Sequence, residues 1–173
     1  MNSDGSDCVG AVLFTDLVGF TEYTDSVGDE AALQVLDSQT AMALSLVDDR
    51  EHARIVKELG DGLMLWFDTA ADGLETAAEL LDDIDIAHRA GEFPLAVRMG
   101  IHYGPVIARG DDVVGQTVNI AARLADIAGP GELLVSEHLI DTLSNLDSLT
   151  LRAVGPVTVK GIRAPIWVHR LQP

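Results

Sequence analysis

The strongest constraint on the fold is a turn, Gly60-Asp61-Gly62, set between two strand-like runs at residues 54–56 and 63–67. Asp-Gly is a strong hairpin signal, so residues 54–67 are predicted to form an antiparallel strand pair. Amphipathic helical patterns flank this hairpin on both sides. Upstream, Asp29 is placed to cap a long helix reaching about His52, with Leu33, Leu36, Ala43, Leu44 and Val47 on one stripe. Downstream, Leu74, Ala77, Ala78, Leu81 and Ile84 recur at helical spacing, and Asp72, Glu75, Glu79, Asp82 and Asp83 read as its solvated face.

The remaining segments complete the pattern. A buried strand is predicted at residues 9–14, a short helix from near Gly19, and another strand pair at 95–102 and 105–108. Residues 117–127 read as a helix stopped by Gly129-Pro130-Gly131, and residues 132–171 as short strands with one small helix at about 137–143. Strand, helix, hairpin, helix, strand is the split βαβ order of ferredoxin-like domains. The expected fold is α+β: a ferredoxin-like βαββαβ core with additional C-terminal strands and a small helix. One domain is expected over residues 9–173, behind a flexible N-terminus at residues 1–8.

Composition limits the function classes. A chain of 173 residues, 47% hydrophobic and 23% charged, suffices for one domain with a sizeable core. Its formal net charge of -17 argues against a broad nucleic-acid or anionic-membrane surface. With only eleven Lys and Arg, the position of each is informative. A single cysteine, Cys8, permits no intrachain disulfide and fits a reducing compartment. No apolar run approaches the roughly 20 residues of a membrane span, and residues 1–7 lack the apolar core of a signal peptide. The expectation is a cytoplasmic protein without membrane contact, or one module of a longer chain.

Two aspartates carry the first chemical signal. Asp16 lies in Phe14-Thr15-Asp16-Leu17-Val18-Gly19-Phe20-Thr21, after the first predicted strand, and Asp61 lies in the hairpin turn. Each could be a cap or turn residue, but two hard carboxylates at strand ends also suit a pair of Mg²⁺ or Mn²⁺ ions bridged by a phosphate. Gly19-Phe20-Thr21, opening a helix, would offer backbone N–H groups to that phosphate. Lys57 stands four positions before Asp61, and strand alternation puts 57, 59 and 61 on one face. Arg98, within Val97-Arg98-Met99-Gly100-Ile101, needs a carboxylate or a ligand phosphate as partner. Asn119 and Arg123 share one face of the helix at 117–127, beside the small residues Ala121, Ala122 and Ala125. Lys160, in Val157-Thr158-Val159-Lys160-Gly161-Ile162, reads by itself as a surface strand lysine. His102, Tyr103, Cys8, Trp66 and Trp167 read as structural.

Residues 14–21, 57–62, 98–102 and 112–123 occur in the order seen in class III nucleotidyl cyclases, and the chain resembles the catalytic domain of bacterial class III adenylate cyclases from about Val9 onward. The resemblance implies that Asp16 and Asp61 bind two divalent metal ions and that Lys57 and Asp112 read adenine. It further implies that Asn119 orients the ribose, that Arg123 stabilises charge on the α-phosphate, and that Arg98 and Lys160 contact the triphosphate. Adenine presents N1 as an acceptor and its N6 amino group as a donor, which suits a Lys with an Asp. The implied activity is conversion of ATP to 3′,5′-cyclic AMP and pyrophosphate at sites shared within a homodimer. Guanylate cyclase activity, and a cyclase-like domain that senses nucleotide or binds a partner without turnover, stand as alternatives. The glycine-rich acidic signature of diguanylate cyclases is absent.

Overall fold

The computed structural model describes residues 6–144 and 149–172. Strand β1 (Ser6–Leu17) leads through a tight turn into α1 (Phe20–Val27) and α2 (Asp29–Val47). The hairpin β2 (Arg54–Leu59) and β3 (Gly62–Phe67) follows, then α3 (Ala70–Arg89) and β4 (Val97–Arg109). A short strand β5 (Asp112–Val114) precedes α4 (Gln116–Ile127), β6 (Leu133–Ser136), α5 (Glu137–Ile140), β7 (Leu151–Val157) and β8 (Ile166–Leu171).

The strands form one sheet in the order β2-β3-β1-β4-β6-β8-β7, with β5 pairing off β4. Its first four strands are mutually antiparallel and in the order the split arrangement requires. The extra C-terminal strands extend the sheet beyond β4, as expected, through a parallel β4–β6 pairing.

Period-two alternation sorts the side chains of β3 to two cores. Leu63, Leu65 and Phe67 join Ala11, Leu13, Leu74 and Ile84 in the core under α2 and α3. Met64 and Trp66 point the other way and pack with Val12, Val106 and Ala121 under α4. The sheet is thus sandwiched, with α2 and α3 on one face and α4 on the other. Both faces of β3 are buried, which is why its sequence is continuously apolar.

Glycine sets the distance of α4 from the sheet. A Cβ on Gly100 would lie 2.1 Å from the Ala125 nitrogen and 2.6 Å from the Ala121 carbonyl oxygen. The helix backbone therefore rests directly on β4, and the small residues Ala121 and Ala125 face the contact.

Four local expectations are corrected. The strand pair at 95–102 and 105–108 is one strand, β4, paired with β1 without interruption from Leu17↔Val97 to Ser6↔Ala108. Pro105 is tolerated because β4 has a second neighbour only at Met99–Ile101 and Ile107–Arg109, and Pro105 falls in the gap. Ser6, Asp7 and Cys8, expected in a flexible tail, are the first residues of β1; residues 1–5 lie outside the described residues. Helix α2 is capped by Gly28 rather than Asp29 and ends at Val47, not near His52. Its buried stripe is Ala32, Val35, Gln39, Ala43 and Val47, whereas Leu33 and Leu44 are exposed. That face is the one set against α3 and β2.

Candidate active site

Asp16 is the penultimate residue of β1, directly opposite Arg98 on β4. The Arg98 guanidinium donates through Nε to Asp16 Oδ2 at 2.6 Å, and its Nη2 lies 2.6 Å from the same oxygen. Its Nη1 donates to the Asp126 carbonyl at 2.9 Å, near the end of α4. The partner anticipated for this arginine is therefore a carboxylate, and Arg98 ties the β1 end to the helix that carries Asn119 and Arg123.

Gly60 and Asp61 fill the two-residue turn of the hairpin, since Leu59 pairs with Gly62. Gly60 takes the left-handed conformation at φ 64°, so Asp61 is the second turn residue. A Cβ on Gly62 would lie 2.2 Å from the Thr15 carbonyl oxygen. The Thr15 hydroxyl oxygen accepts from the Leu63 N–H at 3.0 Å. These two contacts press the turn against the end of β1 and bring Asp61 to Asp16. Burial, and next the Asp16 charge, push the Asp61 carboxyl above its ordinary value, while backbone N–H groups of Asp61 and Leu17 hold it partly down. Two carboxylates that repel each other at a strand end are a donor set for a hard divalent cation. No group of three or more His, Cys, Asp or Glu is gathered for a metal among the described residues. The pair therefore fits ions whose remaining ligands are substrate oxygens, backbone or water.

Gly19 caps α1 in the left-handed conformation, with no side chain accepting from the first-turn N–H groups. Gly19, Phe20 and Thr21 thus present backbone donors just beyond Asp16, as anticipated.

Lys57 does not stay with Asp61. A bulge between Ile55 and Lys57 shifts the register, the strand ends at Leu59, and the turn carries Asp61 away to β1. Lys57 Nζ instead donates to both carboxylate oxygens of Asp112, at 2.9 and 2.7 Å. β2 and β5 pair with different strands, so only side chains make this contact. The Val113 N–H also donates to Asp112 Oδ1 at 2.8 Å, and with Lys57 as the main cause the Asp112 carboxyl sits below its usual range. Of the adjacent Asp111 and Asp112, it is Asp112 that meets the lysine.

Asn119 and Arg123 project from α4 into an open cleft of about 580 Å³, closed on the other side by Thr158, Val159 and Lys160 of the β7–β8 connection. Lys160, carried by the shortest motif, therefore shares a wall with the two α4 residues. Arg123 is loosely engaged: its Nη1 stands 3.8 Å from Asp126, and its side chain is half exposed. Asp16, Asp61, Lys57 and Asp112 do not line this cleft.

His102 is buried, as its core reading required. The Ser136 hydroxyl oxygen accepts from the Leu139 N–H and lies within hydrogen-bond distance of His102 Nδ1, at 2.7 Å. Burial, with His138 nearby, lowers the His102 pKa to about 4. Trp66 is buried and donates from Nε1 to Asp68, but Trp167, also expected to be structural, is half exposed on β8.

The adenylate and guanylate cyclase catalytic domain family matches residues 1–172. The chain belongs to this family. The cyclase domain is 39% identical over 158 residues to an uncharacterised protein of Mycobacterium tuberculosis, a match covering 91% of the domain and 40% of that protein. It is 40% identical over 124 residues to an adenylate cyclase of Streptomyces griseus, covering 72% of the domain and 30% of the relative. The cyclase domain thus spans well under half the length of these relatives. Among solved structures, an adenylyl cyclase from P. aeruginosa superposes with TM-score 0.86 at 22% identity, over 98% of the domain and 96% of that chain. An adenylate/guanylate cyclase/hydrolase from Silicibacter pomeroyi superposes at 0.80 with 28% identity, over 97% and 98%. No helix among the described residues is long and apolar enough to cross a membrane.

Thr15 and Gln39 are the contributors the sequence reading missed. Gln39, 1% exposed on α2, donates from Nε2 to the Asp61 carbonyl at 3.3 Å. A polar residue on an otherwise apolar helix stripe was the available signal.

Proposed function

We propose that the cyclase domain is an adenylate cyclase, converting ATP to 3′,5′-cyclic AMP and pyrophosphate at two equivalent sites of a homodimer. The Lys57–Asp112 pair is the observation that carries this reading. A donor and an acceptor held 2.7 Å apart match the neighbouring N1 and N6 positions of adenine and oppose the reversed edge of guanine. Lys57 donates to N1, and Asp112 accepts from the N6 amino group. The adenylate cyclase named among the relatives is in keeping with that choice.

Asn119 holds the ribose, so that the 3′-oxygen faces the α-phosphorus in line with the bond to be broken. The 3′-hydroxyl gives its proton to solvent as a bond forms from the 3′-oxygen to the α-phosphorus, the bond from that phosphorus to its bridging oxygen breaks, and pyrophosphate leaves. Arg123, unengaged by any close carboxylate, meets the charge developing on the α-phosphate oxygens. Lys160 and the N–H groups of Gly19, Phe20 and Thr21 hold the remaining phosphates, with Arg98 at the edge of the carboxylate pair. Two ions of the Mg²⁺ or Mn²⁺ class, bound by Asp16 and Asp61, would polarise the 3′-hydroxyl and neutralise the triphosphate.

The shared site is supported by separation within one chain: the cleft of Asn119, Arg123 and Lys160 contains neither aspartate. In the dimer, one copy supplies Asp16 and Asp61 and the other supplies Lys57, Asp112, Asn119, Arg123 and Lys160. The domain acts on a free nucleotide, in the cytoplasm, with no call on nucleic acid or membrane. Parallel assays with ATP and GTP, each in Mg²⁺ and in Mn²⁺, test the assignment. ATP is expected to turn over faster in both metals, and faster GTP turnover would reverse the substrate.

A further inference from the structure

Gln39 breaks the pattern of its own helix. It lies on the buried stripe of α2 between Val35 and Ala43, at 1% exposure, where an apolar side chain would pack without polar atoms to satisfy. Its Oε1 is buried and has no hydrogen-bond partner among the described residues. Its one hydrogen bond runs from Nε2 to the Asp61 carbonyl at 3.3 Å. A buried amide oxygen left unmatched is a cost that packing does not explain.

The turn that receives this bond has little stiffness of its own. Asp61 lies between two glycines, Gly60 in the left-handed conformation at φ 64° and Gly62 flush against the Thr15 carbonyl. Glycine on both sides leaves the Asp61 peptide freer than any side-chain-bearing neighbours would. Asp61 must nonetheless hold its carboxyl at the end of β1, where the Thr15 contacts bring it to Asp16. A tether from the helix layer to the Asp61 carbonyl fixes the peptide orientation and, with it, the direction of the carboxylate.

We infer that Gln39 is a positioning residue for the metal carboxylates: it spends buried polarity on α2 to hold the Asp61 turn in the metal-binding orientation. This rests on the reading of Asp16 and Asp61 as metal ligands. Gln39 touches neither substrate nor ion and acts through the backbone of Asp61.

The test compares Gln39→Met, similar in size and apolar, with Val35→Ala, which loosens the same stripe of α2 away from the turn. Asp16→Ala serves as the reference for lost metal binding. Mn²⁺ binding to each full chain is titrated by loss of the free-ion EPR signal in the absence of nucleotide, so that every bound ion is held by the protein. Melting is followed separately in EDTA. Gln39→Met is expected to weaken Mn²⁺ binding about tenfold and to melt no lower than the parent chain. Val35→Ala is expected to melt lower and to bind Mn²⁺ within about twofold of the parent, as a cavity without effect on the turn. Unchanged Mn²⁺ binding in Gln39→Met, while Asp16→Ala loses it, overturns the proposal alone. Equal Mn²⁺ loss in Gln39→Met and Val35→Ala overturns it too, because packing would then account for both. Mn²⁺ binding that survives Asp16→Ala overturns the metal reading itself, and the proposal with it.

Discussion

The carboxylate rim and the α4 cleft, the two halves of the proposed site, are built in opposite ways. The rim is assembled from buried contacts: Asp16 is clamped by Arg98, and Asp61 is pressed into place through Gly62, Thr15 and Gln39. The cleft is open, and its cations are uncommitted, with Arg123 half exposed and 3.8 Å from the nearest carboxylate. One half holds negative charge that repels itself; the other holds positive charge without a close partner among the described residues. Neither is complete alone, and within one chain they do not share a cavity. A triphosphate with its metal ions is the kind of ligand that completes both.

The hardest test of that division is complementation. Asp16→Ala and Asn119→Ala chains are each expected to lose activity at least about a thousandfold, because each removes a group from both sites of its own dimer. Mixed and allowed to exchange, they should recover about a quarter of the wild-type rate, since half the dimers are mixed and each of those has one intact site. No recovery, once mixed dimers are demonstrated, would break the assignment of the two halves to different chains.

His102 asks whether rim and cleft melt as one unit, since it sits on β4 two residues beyond Gly100, where α4 rests on the strand. Its folded pKa, about 4, lies below the ordinary 6.5, so the unfolded chain binds the extra proton between those values. Stability from this group is complete above pH 6.5 and is lost as pH falls toward 4, by about 3 kcal/mol. Urea unfolding across that range should show the loss, and His102→Gln should flatten it. A curve for His102→Gln as steep as the parent's would assign the acid sensitivity elsewhere.

Lys160 and Arg98 sharpen the comparison at the level of single cations. Lys160→Met is expected to raise KM for ATP about tenfold and to leave melting in EDTA unchanged. Arg98→Met strands Asp16 beside Asp61, so it should melt lower in EDTA and regain much of the loss with Mn²⁺. If the two variants instead raise KM alike and melt alike, Arg98 serves the triphosphate and not the rim.

Asp61→Asn gives the smallest effect on stability and the one with the least intuitive sign. A carboxyl whose folded pKa is raised stabilises the fold below its unfolded pKa and costs stability as pH rises through the folded value. At pH 7 without metal, the amide should melt a few degrees higher than the parent, while activity is lost. A lower melting temperature would show that the two carboxylates do not oppose each other.

Much of this was legible in the chain because it is local. Glycine and aspartate at a turn, and apolar spacing along helices, report backbone geometry over a few residues, so the βαββαβ order and the hairpin could be read directly. Asp16, Lys57, Asp112, Asn119 and Arg123 were named through a resemblance, and the motifs that carry it are likewise runs of a few residues. Reading failed where a distant segment decides. Pro105 signalled a break, yet β4 runs through it because no neighbouring strand needs its N–H there. Leucines 33 and 44 suggested the buried face of α2, yet the face set against α3 and β2 carries Ala32, Val35, Gln39, Ala43 and Val47.

The sequence by itself determined which groups are available: two carboxylates at strand ends, a lysine and an aspartate for a base edge, and an asparagine and an arginine one helical turn apart. Only the tertiary structure decided their company. It set Arg98 on Asp16, closed Lys57 onto Asp112 across 55 positions of chain, joined Lys160 to the α4 cleft and hung Asp61 from Gln39. Side-chain type is written one residue at a time, whereas these pairings arise from sheet register and helix packing, which the whole chain settles together.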